Sequence, residues 1–134
     1  MKMTWGWYRN GAEATLADIQ SQVGKGWGDI LERLVIDLAN LGWNGEVMQV
    51  KEKFGVLCFY VGASNAAIRN RIDQAGEESA ITCEWCGQLG SVDERYHWML
   101  TLCPQCSEKR RVDTELREAK ALERLAEQGT KSTA

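Results

Sequence analysis

The chain carries Cys83-Glu84-Trp85-Cys86-Gly87 and, after sixteen intervening residues from Cys86, Cys103-Pro104-Gln105-Cys106. Two residues between cysteines allow a tight knuckle in which both thiolates face one ion while backbone N–H groups point at the sulfurs. Four thiolates complete a tetrahedral shell with no open position, which is the ligand set of a structural zinc ion. Cys83, Cys86, Cys103 and Cys106 are therefore the expected ligands of one Zn2+. Gly87 suits the positive φ that such a knuckle needs. Pro104 sits where a helix can begin, and a strongly helical run follows it. Cys106 then falls in the first helical turn, where the helix dipole favours a thiolate. Arg95 to Leu102 form a second hairpin arm after a turn near Gly90. Knuckle, hairpin and ligand-bearing helix, in that order, describe a treble-clef finger, whereas a plain zinc ribbon ends on a strand.

Two other uses of paired cysteines fit less well. A thioredoxin-like redox pair requires a strand before it and a helix just after it, and leaves the second pair unexplained. A four-cysteine iron–sulfur site is the other alternative. The fifth cysteine, Cys58, reads as a small buried apolar residue. His97 is the only histidine, an ordinary residue of the finger hairpin beside Trp98. No Ser-His-Asp or Cys-His arrangement can be assembled around it. The carboxylates are scattered, so the sequence reads as that of a non-enzyme.

Composition narrows the partner classes. The 134 residues are 44% apolar and 26% charged, enough for one compact domain or a small domain with a metal-held appendix. The net charge is −3, and neither side of Ile81 is a basic module. The electrostatic footprint of a general nucleic-acid binder is thus missing. No run of about 18 apolar residues is present, so no membrane-spanning helix is expected, and the N-terminus lacks a signal-peptide stretch. These features predict a reducing cytoplasm, where paired cysteines more often bind metal than form disulfides.

Along the chain, Leu16, Ile19 and Val23 predict a short helix over residues 12–23, and Gly24, Gly26 and Gly28 interrupt it. Ile30, Leu31, Leu34, Val35, Leu38 and Leu41 predict a core helix, with Asp29 and Glu32 as an acidic capping box and Gly42 as its end. The period then changes to two. Val47–Val50 and Val56–Val61 predict an antiparallel hairpin across a polar turn, Lys51-Glu52-Lys53-Phe54-Gly55. Leu57, Phe59 and Val61 share one face, and Val56, Cys58 and Tyr60 the other. Both faces are apolar, so the sheet is covered on both sides or meets a partner. Ser64-Asn65 opens a further helix to about Ser79. From Pro104 to Gln128 a long charged helix carries a narrow stripe of Val112, Leu116, Ala119, Leu122 and Ala126. The expected fold class is α+β: a small helix–β-hairpin–helix domain (1–81) fused to a treble-clef-like, four-cysteine zinc finger with a long C-terminal helix (82–128), then a flexible tail (129–134).

Gln49 to Tyr60, followed by Thr82 to Gly87 and Thr101 to Cys106, is similar to a group of small, mostly uncharacterised proteins encoded by bacteriophages and prophages. The resemblance spans roughly residues 26–106. It implies a phage origin and the cytoplasm of a bacterial host, and it carries over no activity and no catalytic residue.

Three roles follow as expectations. The first is a non-enzymatic accessory protein that binds a host protein or complex, blocking a defence or redirecting host machinery. Its candidate contacts are Trp5, Trp7, Trp85 and Trp98, since tryptophan is enriched at interface hot spots. The second is a nucleic-acid-binding regulator using Arg95, Lys109, Arg110 and Arg111. The third is a homodimer with the C-terminal helix as its seam.

Overall fold

The fold is taken from a computed structural model that describes residues 2–132, with side chains through 129. It is α+β. Strand β1 (Thr4–Trp5) leads through a 3-10 turn to the short helix α1 (Leu16–Gln20), and a second 3-10 turn leads into α2 (Gly28–Asn40). The hairpin β2 (Glu46–Lys53) and β3 (Val56–Val61) precedes α3 (Ala66–Ser79). A smaller hairpin, β4 (Ser91–Asp93) and β5 (Leu100–Leu102), is followed by α4 (Pro104–Ser132). Residues Met1–Cys103 form one compact unit and Pro104–Ala134 a second. The cysteine knuckle and its hairpin belong to the α/β unit, and the long helix forms the other.

Helix starts follow side-chain chemistry more than composition. At α1, Thr15 and Asp18 form a reciprocal capping box, with Thr15 Oγ1 accepting from the Asp18 amide and Asp18 accepting from Thr15 N–H. At α3, Asn65 Oδ1 accepts from Ile68 N–H at 3.0 Å. The acidic cap expected at Asp29 is not one. Helix α2 begins at Gly28, one residue earlier, and is capped by Trp27 without a side-chain hydrogen bond. Asp29 instead lies in the first turn, where its charge favours the helix dipole. Helix α1 is also shorter than the periodicity predicts, because the chain turns at Ser21.

Strand order in the main sheet is β1-β2-β3, with β1 parallel to β2 and β2 antiparallel to β3. The N-terminal strand is not predicted by the sequence; at two residues it has no periodicity to read. A bulge between Val47 and Gln49 turns both Val47 and Val50 inward. With Leu57 and Phe59 they face Ile30, Leu31, Leu34, Leu38 and Ile68 from the helices. Each of these aliphatic side chains contributes about 1.5–3 kcal/mol by leaving water. Trp43 closes the layer edge-on to Phe59, and its indole N–H donates to Glu46 O at 3.2 Å. On the opposite face Val56 and Cys58 are half-buried, and Tyr60 is exposed and lines a cleft of about 520 Å³ with Tyr8, Met48 and Gln49.

The turn of the β2–β3 hairpin is only Phe54-Gly55, because Lys51, Glu52 and Lys53 belong to β2. Both turn residues have positive φ, +54° and +80°, which is the pattern of a type I′ hairpin. Phenylalanine in this region costs about 1–2 kcal/mol through its Cβ.

The segment Gly24–Trp27 serves as a seat for the first cysteine knuckle. Gly26 N–H donates to Glu84 O at 2.8 Å, and the Trp27 indole N–H donates to Thr82 O at 2.8 Å. A Cβ on Gly26 would lie 2.0 Å from Cys83 O, and one on Gly24 would lie 2.3 Å from Glu84 O. No side chain fits between these two backbones. Along α4, Val112, Leu116, Leu122 and Leu125 are exposed. The helix continues to Ser132, replacing the start of the expected tail, and residues 133–134 lie outside the described residues.

Gly26→Ala should destabilise the chain by about 3 kcal/mol or more through backbone overlap. Urea denaturation measures this, and a loss below about 1 kcal/mol would contradict the seat.

Candidate metal centre

The first knuckle is a short antiparallel turn. Cys83 N–H donates to Gln88 O at 2.7 Å, Gly87 N–H donates to Cys83 O at 3.0 Å, and Gly90 N–H donates to Ile81 O at 2.8 Å. Gly87 takes φ +83°, the conformation that its position after the pair predicts. The second pair comes off β5, with Cys103 as the residue between strand and helix and Cys106 in the first turn of α4.

The Sγ atoms of Cys83, Cys86, Cys103 and Cys106 all lie within 4.8 Å of one another, with Cys86 and Cys103 at 3.5 Å. Tetrahedral zinc with Zn–S bonds of about 2.3 Å requires sulfurs about 3.8 Å apart. None of the five cysteines forms a disulfide. The four clustered residues fit one structural zinc ion, which supplies a crosslink and, with no fifth ligand position, no reaction centre. Knuckle, β4–β5 hairpin and ligand-bearing helix occur in the treble-clef order that the sequence implies.

Local electrostatics favour the anionic ligand. Cys83 is fully buried, and burial alone would push its thiol up. Backbone N–H groups of Cys103, Cys86 and Trp85, aided by the Cys86 side chain, outweigh that effect and bring it down to about 7. Glu84, between the first two ligands, is buried and locks the knuckle to the hairpin. Its carboxylate accepts from Thr101 N–H at 2.7 Å, and its own N–H donates to Thr101 O at 2.9 Å. The Thr101 hydroxyl in turn donates to Gly55 O at 2.7 Å, tying the finger hairpin to the tip of β2–β3.

The remaining singled-out residues are dispersed. Cys58 is half-buried on β3, away from the cluster. His97 is exposed in the loop between β4 and β5. Trp5 belongs to the core and is no surface contact; its ring lies under the Arg9 guanidinium at 4.2 Å. Trp7 and Trp98 are exposed, by 82% and 63%, and Trp85 is half-buried. Of the basic group, Arg110 is buried and engaged. Arg95 pairs with Asp93, and Arg111 pairs with both Glu108 and Glu115. Lys109 is exposed. The sequence reading missed the Gly24–Trp27 seat, whose glycines look like a simple helix break. It also missed Phe54 beside Trp98, signalled only by a phenylalanine where a tight turn favours asparagine.

No helix among the described residues is long and apolar enough to cross a membrane. No family model matches the chain, and no curated protein or solved structure shows significant similarity to it.

Mass spectrometry of the native protein should find one zinc per chain, and Cys83→Ser should abolish stoichiometric binding. Chelation should remove on the order of 10 kcal/mol from the finger, so an unchanged melting curve after complete zinc removal would refute a structural ion. The folded site lowers the Cys83 thiol from 9.0 to about 7, so its thiolate contribution is complete above the unfolded value and is lost as pH falls through 7. Chelator competition should accordingly show zinc affinity falling as pH drops through 7.

Proposed function

We propose that this chain is a non-enzymatic phage accessory protein whose zinc finger holds an aromatic surface for binding a host protein or complex, inhibiting a defence or redirecting host machinery. The observation that carries this reading is Trp98. It stands 63% exposed on the zinc-held hairpin with its indole N–H fixed by Glu52 Oε2 at 3.1 Å. Exposed, pre-positioned tryptophan is costly in water and typical of interface anchors. Trp7 adds a second exposed indole, in the 3-10 turn that follows β1.

Charge supports a protein partner over nucleic acid. The chain carries −3 overall. Three of the four cationic residues that a phosphate contact would use, Arg95, Arg110 and Arg111, are committed within the fold. The phage assignment and the bacterial cytoplasm rest on the resemblance of the hairpin and cysteine motifs.

Affinity capture from bacterial lysate with the zinc-loaded chain, with and without nuclease, tests this reading. A discrete protein that survives nuclease and is lost with Trp98→Ala is the expected result. A signal abolished by nuclease would replace the reading with a nucleic-acid regulator.

A further inference from the structure

Within that interaction reading, on which the following rests, one site specifies its ligand more closely. We propose that Phe54 and Trp98 are the two jaws of a pocket that takes a single aromatic side chain of a partner polypeptide, flanked by acidic residues.

Phe54 is the first piece of evidence. It occupies a turn position with φ +54°, a conformation that asparagine, aspartate or glycine adopts without strain. Burial does not compensate, because the side chain is 67% exposed. An unfavourable backbone that holds an apolar ring in water is a feature found at ligand clamps. Trp98 is the second. Glu52 joins the turn that carries Phe54 to Trp98: Oε1 accepts from Gly55 N–H at 2.5 Å and Oε2 from the Trp98 indole N–H at 3.1 Å. The bond from Thr101 Oγ1 to Gly55 O, 2.7 Å long, fixes the turn to the finger hairpin from the other side. The jaws are therefore preorganised, which reduces the entropy lost on binding.

Between them is a cleft of about 250 Å³ lined by Glu52, Lys53, Phe54, His97, Trp98 and Met99. Pockets for drug-sized ligands start at about 300 Å³, so this space suits one ring and not an extended molecule. Charge selects the setting of that ring. Both Glu52 oxygens serve as acceptors inside the turn. Lys53 forms no ion pair among the described residues, and its ammonium lies 5.8 Å from the Phe54 ring centre. His97 is exposed beside it. The complement is an aromatic group accompanied by negative charge. A nucleobase with its phosphates shares that chemistry but would call on further cations, and the pairing of Arg95 with Asp93 favours a peptide.

The test titrates the isotope-labelled, zinc-loaded full chain with three probes, following the Trp98 indole N–H by NMR. The probes are the peptide Gly-Glu-Glu-Trp-Glu-Glu-Gly, the same peptide with alanine for tryptophan, and single-stranded oligo-dT. The tryptophan peptide should shift the resonance saturably. Affinity should fall at least tenfold for the alanine peptide and for Phe54→Asn, and severalfold for Lys53→Glu. Phe54→Asn should melt no lower than the parent, since asparagine suits the turn. A lower melting temperature would make Phe54 a structural residue and overturn the proposal. Equal binding of the alanine peptide, a response to oligo-dT alone, or no response to any probe would overturn it too. Lysate capture that persists with Phe54→Asn would leave the interaction module standing while removing this pocket from it.

Discussion

The contact on which the rest of the α/β unit is arranged is the backbone-to-backbone approach of Gly26 to the Cys83–Gly87 knuckle. Hydrogen bonds from Gly26 N–H to Glu84 O and from the buried Trp27 indole to Thr82 O bring the two segments together. The Trp27 side chain is fully buried, so leaving its indole N–H unpaired would cost about 1–3 kcal/mol. The geometry leaves no room for a Cβ at Gly24 or Gly26. A bound zinc ion would therefore order a knuckle that is seated on the residues that start α2.

From that seat the order propagates by short polar links. Glu84 joins the knuckle to Thr101 on β5, and Thr101 joins β5 to Gly55 at the hairpin tip. Glu52 then connects the same tip to Trp98. Each member of this chain has its hydrogen bonds satisfied, and no buried side-chain polar atom among the described residues lacks a partner. A satisfied network of this kind rigidifies what it touches. Here the structures it rigidifies are a strained turn and an exposed indole, so the zinc ion's structural role extends to the surface that presents aromatic rings.

Legibility from sequence varied with the range of the interaction. Helix α3 was readable because Asn65 caps it locally and Ile68 and Ala75 repeat at helical spacing. The ligand set was readable because Cys-x-x-Cys is a local geometric requirement, and Gly87 took the positive φ that the motif needs. The β2–β3 pairing was readable from its period of two, although the bulge at Val47/Gln49 was not. Where side chains of one type had several possible environments, sequence did not decide among them. Trp5, Trp7, Trp85 and Trp98 all looked alike as contacts, yet Trp5 lies in the core and Trp98 in solvent. Arg110 and Arg111 read as a solvent-facing basic pair, yet one is buried and the other is held by two glutamates.

The sequence by itself determined the four thiolate ligands, the α+β composition and the order of knuckle, hairpin and helix, because each follows from contacts a few residues apart. Only the tertiary structure decided that the first knuckle sits on Gly24 and Gly26, that β1 joins the sheet, and that Phe54 stands beside Trp98. Those pairings join residues 40 or more positions apart, such as Trp27 with Thr82 and Glu52 with Trp98. Such contacts depend on how the core closes and leave no periodic trace along the chain.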